Sequence, residues 1–145
     1  MMSAQTFAGR TPRESLRIDQ PHVIRSVTFT KESGTSRLRI TYRDKAWVNV
    51  HPHTYSARVQ VHIDGVPIDL LETAFDAINS PSGEFAFHSV SSPFVTIGYA
   101  EGITAGTHTL SSVYVVTGNT LLGTNAPTFG FVPDSPYFIE IEEIP

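Results

Sequence analysis

The sequence predicts an all-β chain: an antiparallel two-sheet jelly-roll sandwich with an extended N-terminal arm and room for one short helix. Three observations predict it. Apolar residues recur with period two from Val23 onward, ten prolines and ten glycines punctuate the runs as turns, and hydrophobic residues make up 40% of the chain against 17% charged. That balance is too apolar for disorder and lower in charge than the ~25% usual for soluble domains, which predicts surface buried against partners.

With 145 residues the chain has room for one domain, divided here into an arm over 1–22 and a jelly-roll domain over 23–145. From Met1 to Gln20 the residues are small, polar or charged, with Phe7, Leu16 and Ile18 in no helical or strand period. They read as an arm outside the core, with Phe7, Arg10, Arg13, Leu16 and Arg17 as its anchoring residues. The stretch has no continuous apolar run, so neither a signal peptide nor membrane insertion is expected from it.

The first strand is placed at Val23–Thr30, where Val27 and Phe29 face one way and Thr28 and Thr30 the other. The clearest is Arg37–Arg43, with Leu38, Ile40 and Tyr42 alternating with basic or hydroxyl residues. Further strands are expected over 46–50, 57–63, 84–90, 94–99, 107–116, 128–132 and 137–144. Asp64-Gly65 is a hairpin signal, because glycine supplies the positive φ of a tight turn, and Pro67 assigns the following arm to a sheet edge. Ile68, Leu71, Phe75 and Ile78 fall at spacings of three, four and three, which suits one face of a short helix or a packed loop.

Charge and motifs exclude several function classes. The formal charge of -4 comes with no block of basic residues to track phosphates, so no nucleic acid partner is expected. The absence of cysteine removes disulfides, thiolate metal sites and cysteine nucleophiles. No Gly-x-Ser-x-Gly elbow and no phosphate-cradling glycine loop occurs, so no enzyme activity and no cofactor are expected. Glu140 and Glu142 alternate with Ile139 and Ile141, which reads as the solvated face of a terminal strand rather than as catalytic carboxylates.

His51-Pro52-His53 is the best metal-like feature, since two histidines one residue apart on extended chain share a face. No acidic residue adjoins them, and a turn ending a strand explains them better, so no metal site is expected; a cupin-like metal oxygenase would need the acid and a further histidine. His22, His62, His88 and His108 are isolated and read as solvated or interface side chains. Tyr55, beside His53, reads as exposed. His51, His53, Tyr55, Asn119 and Asn125 are therefore the surface-binding candidates, with aromatic and amide groups suited to sugar faces and hydroxyls.

Three stretches carry a family likeness: Ser26–Tyr42 (SVTFTKESGTSRLRITY), Val95–Val115 (VTIGYAEGITAGTHTLSSVYV) and Phe138–Ile144 (FIEIEEI). Together they resemble the complement-globular-head and tumour-necrosis-factor-like jelly rolls of bacteria and phages. The corner Gly102-Ile103-Thr104-Ala105-Gly106-Thr107-His108-Thr109-Leu110 resembles the one that enters a long core strand in those modules, and glycines 102 and 106 suit a tight reversal independently. The chain departs from them in lacking a collagen-like stalk and in the insert near Leu71. The resemblance implies a homotrimer that binds or builds rather than catalyses. The expected role is a structural or adhesive virion component, such as a phage fibre, head fibre or capsid decoration, joined to other virion proteins through the arm. The alternative is a soluble glycan-binding trimer, extracellular or at a cell surface.

Overall fold

The computed structural model describes residues 4–10, 15–17, 22–50, 55–77, 88–117, 128–131 and 136–145. They form ten strands: β1 (Ala4–Arg10), β2 (Ser15–Arg17), β3 (His22–Lys31), β4 (Arg37–Val50), β5 (Tyr55–Ile63), β6 (Val66–Ala77), β7 (His88–Ala100), β8 (Gly106–Thr117), β9 (Thr128–Phe131) and β10 (Pro136–Ile144). No helix occurs among the described residues, and all pairings are antiparallel.

The pairing is nested. β5 pairs β6, β4 pairs β7 outside them, β3 pairs β8 outside those, and β1 pairs β10 outermost. A long hairpin rolled up in this way places alternate pairs in opposite sheets, which gives the jelly-roll sandwich. One sheet reads β3-β8-β5-β6; in the other, β4 carries β7 on one side and β10 followed by β9 on the other, with β1 beyond β10 and β2 beyond β9. Inward residues of both sheets, among them Phe29, Leu38, Ile40, Val61, Leu110 and Ile139, fill the space between.

Strand parity explains who faces in. Arg37–Arg43 alternates as its sequence pattern requires, with 38, 40 and 42 buried, and Phe29 is buried while Thr28 and Thr30 are exposed. The expected strands at 37–43 and 46–50 are one strand, β4, because Asp44 keeps the inward parity instead of breaking it. The Asp64-Gly65 turn has positive φ at both residues, 50° and 81°, matching the twist of the strands it joins. β6 is the edge strand that Pro67 signals.

Two expectations are corrected. The helix-like spacing at Ile68, Leu71, Phe75 and Ile78 belongs to strand β6 up to Ala77, and Ile78 lies outside the described residues. The register jumps from Gln60↔Glu72 to His62↔Pro67, so residues 68–71 leave the ladder. Within that irregularity Leu71 is buried and Ile68 packs on the core at an odd spacing, which imitates a helical period. The second correction concerns the arm outside the core. Residues 4–10 are strand β1, and Phe7 packs against the core. The Gln5 amide also bridges the sheets: Nε2 donates to Thr30 O at 2.6 Å and Oε1 accepts from Thr30 N at 3.1 Å, occupying the edge of β3.

Candidate functional site

Among the described residues, side chains with chemical character meet inside the sandwich and at its end. The inner group begins with a bulge. The β3–β8 register shifts between Val23 and Arg25, which leaves Val23 exposed while Arg25 keeps the inward parity of Phe29. Arg25 donates through Nε to Asp44 Oδ2 at 3.0 Å and through Nη2 to Oδ1 at 3.2 Å, a two-pronged pair joining one sheet to the other. The Asp44 carboxylate also accepts the Tyr42 hydroxyl at 2.6 Å and the Lys45 amide at 2.9 Å. Ser112 Oγ lies 3.3 Å from Tyr42 Oη and accepts from Arg25 N at 3.2 Å, and the guanidinium carbon stands 4.0 Å above the Tyr137 ring. Burial, reinforced by the Asp44 charge, pushes the Tyr42 phenol well above its ordinary range, so it stays protonated as a donor. The Asp44 side chain has 0% exposure and is closed in by Arg25, Tyr42 and the Lys45 amide, so the group joins the two sheets from inside.

A second buried charge closes the turn between β3 and β4. Lys31 follows Phe29 by inward parity and its ammonium is held by Ser33 O, with Glu143 Oε1 at 3.9 Å. Glu143 accepts from the amides of Glu32 and Ser33, each at 3.0 Å, and from Ser36 Oγ at 2.8 Å.

The end of the sandwich carries an open cleft of about 610 Å³ between the Asp64-Gly65 turn and the β7–β8 corner. Ile63, Ile68, Ala100 and Ile103 supply apolar walls, while Asp69 and Glu101 stand among the polar ones. His108 joins the two sides. Its Nδ1 lies 2.6 Å from Asp64 Oδ2 and its Nε2 2.9 Å from Thr104 O, and the ring tilts against Phe29 at 5.6 Å. Asp64 Oδ1 accepts Thr109 N–H at 2.9 Å, and Asp64 N–H returns a bond to Thr109 O, also at 2.9 Å. The His108 bond, and then the Thr109 amide, hold the Asp64 carboxyl below its usual range; the Asp64 bond raises His108. The corner turns at Gly102 and Gly106, with φ of 73° and 132°, which only glycine adopts freely.

The outer face of the β4 sheet is a third feature. β7 presents Val95, Ile97 and Tyr99 outward with 56%, 61% and 49% exposure, an apolar stripe at period two. Beside it β4 presents Arg37, Arg39 and Arg43, then β10 presents Glu140 and Glu142. Arg37 covers the Tyr99 ring at 4.7 Å, and Arg39 pairs with Glu142 at 2.6 Å. Glu142 thus stands on an outer, ion-paired strand face.

Of the sequence-chosen surface residues, His51, His53, Asn119 and Asn125 lie outside the described residues, and Tyr55 opens β5 opposite Ala77. Of the anchoring residues, Phe7 packs on the core, Arg10 ends β1 opposite Pro136, Leu16 and Arg17 pair in β2 with Phe129 and Thr128, and Arg13 lies outside the described residues. Among the described residues no three His, Asp or Glu side chains group as metal ligands. His108 looks isolated in the sequence because its partner Asp64 is 44 residues away. Arg25 and Asp44 carry no motif of their own, although both extend visible inward parities.

No family model matches the chain, and no curated protein matches it. Among solved structures it is similar to dimeric latent PorU from Porphyromonas gingivalis, with a TM-score of 0.49 and 12% identity, covering 98% of this chain and 13% of that one. The chain thus spans a small part of that protein's length.

Proposed function

We propose that this chain is a non-enzymatic structural and adhesive module, a homotrimeric jelly roll of the virion type that serves in a phage fibre, head fibre or capsid decoration. The observation that carries the reading is the outer face of the β4 sheet, where Val95, Ile97 and Tyr99 stand exposed in a row beside rows of arginine and glutamate. Apolar side chains in such a row lose contact with water when a second copy covers them, and the parallel rows of opposite charge let copies of one surface meet in register. The nested strand pairing supports the likeness from which the virion role is drawn, and the closed polar group inside the sandwich supports a building role over catalysis. Contacts to other virion proteins would run through the N-terminal residues, where β1 forms a sheet edge.

Light scattering of the full chain tests the reading. A mass near three chains is expected, and Ile97→Glu should lower it to one chain while leaving the circular-dichroism spectrum of the sandwich intact. A single-chain mass for the unaltered protein at high concentration overturns the trimer.

A further inference from the structure

We propose that His108 is a proton-operated clasp: its imidazolium ties the Asp64-Gly65 turn to the Glu101–Gly106 corner, and loss of one ring proton frees the corner and reshapes the cleft between them. The geometry carries this. One ring nitrogen faces a carboxylate oxygen at 2.6 Å and the other a main-chain carbonyl at 2.9 Å, and neither oxygen donates at neutral pH. Only the doubly protonated ring satisfies both, because a neutral imidazole has a single N–H.

The groups around the ring decide which contact is lost. The Asp64 carboxylate lies on the turn, and the Lys31 ammonium on β3 acts against the ring's charge. The Phe29 ring packs on one side, and Asp69 and Glu101 line the same cleft. His62 on β5 binds Gln60 Oε1 through Nε2 at 3.1 Å, and burial lowers it, so it titrates apart from His108. A carboxylate accepts a ring N–H bond more strongly than a carbonyl does, so Nδ1 keeps its hydrogen and Nε2 gives its own up. The Nε2 lone pair then faces the Thr104 oxygen, and the contact becomes repulsive. The turn stays fixed to β8 by the two Asp64–Thr109 bonds, so movement falls on the corner, whose bends are Gly102 and Gly106. The cleft walls Glu101, Gly102, Ile103 and Thr104 belong to that corner. The clasp lies within one chain and is independent of the trimer.

Side-chain nitrogen NMR of the full chain between pH 5 and 9 tests it. Both His108 nitrogens should be protonated at the acid end, and Nε2 should lose its proton at a midpoint above that of His62. The amides of Ile103, Thr104 and Ala105 should shift with that same midpoint. Their hydrogen exchange, corrected for base catalysis, should quicken up to about fivefold across it. His108→Gln should abolish the shared titration. Loss of the Nδ1 proton instead, or corner amides that do not respond to His108, overturns the proposal. Should the glutamine variant not fold, Asp64→Asn serves as the second reading: it should lower the His108 midpoint, and an unmoved midpoint overturns the clasp equally.

Discussion

Two acid–base pairs divide the molecule between them. Arg25–Asp44 lies inside the sandwich, with side-chain exposures of 8% and 0%, whereas His108–Asp64 sits at the end, where the Asp64 side chain is 52% exposed. Both pairs join segments distant in sequence through charge-assisted hydrogen bonds. The interior pair meets a guanidinium that never gives up its proton, and it is closed by Tyr42, Ser112 and the Lys45 amide. The outer pair uses an imidazole that does give up its proton, beside water and beside glycines that can move. The same interaction therefore locks the sheets in one place and leaves an adjustable contact in the other.

The largest effect should come from breaking the interior pair on one side only. Asp44→Ala leaves the Arg25 guanidinium buried without its counter-charge, and urea unfolding should show a loss of about 3–5 kcal/mol. Replacing both partners by apolar residues, as in Arg25→Met with Asp44→Leu, should recover most of that loss. A double variant as unstable as the single one would show that the pair contributes more than mutual neutralisation.

A smaller loss is expected where the sheet edges meet. A β-carbon on Gly98 would lie 2.7 Å from Leu71 Cγ, so Gly98→Ala should destabilise the chain by about 1–3 kcal/mol. Adding Leu71→Val should return part of it, read as a shift of the urea midpoint. Tyr42→Phe should cost about 1 kcal/mol, since it removes a buried donor but leaves Asp44 bonded to Arg25 and Lys45.

The smallest effect belongs to the outer pair, and its pH dependence distinguishes it. His108 is raised in the folded chain, so its contribution is complete below its unfolded pKa and is lost as pH rises through the folded one. Asp64 is lowered, so its contribution is present above its unfolded pKa and is lost as pH falls through the folded one. The stability difference between the unaltered chain and His108→Gln should be greatest between those limits and should fade at both ends. A difference independent of pH from 4 to 9 would make the pair a neutral hydrogen bond and bring the two regions closer in kind.

Much of the architecture was legible because one-sided burial imposes a period of two, and that period is visible wherever it is uninterrupted, as in Arg37–Arg43. The Asp64-Gly65 turn was legible for its φ requirement and the β6 edge for the missing N–H of Pro67. The same parity extended by one step reaches Arg25 and Lys31 from Val27 and Phe29, and Asp44 from Tyr42. Those charges look like strand ends because a buried charge is costly until its partner is known. β1 was hidden since Phe7 is the one large apolar residue between Ala4 and Arg10, and one such residue makes no period. The β6 irregularity was hidden because leaving the ladder lets Ile68 and Leu71 both face the core.

By itself, then, the sequence determined the all-β class, the position of most strands, and the inward face where alternation is unbroken, because these follow from local alternation and turn chemistry. Only the tertiary structure decided which strand lies beside which and which charge meets which. Arg25 finds Asp44 across the sandwich, and His108 finds Asp64 across a turn. Such partners are chosen by the rolling of the whole chain, through pairings whose members stand far apart in sequence and leave no local trace of one another.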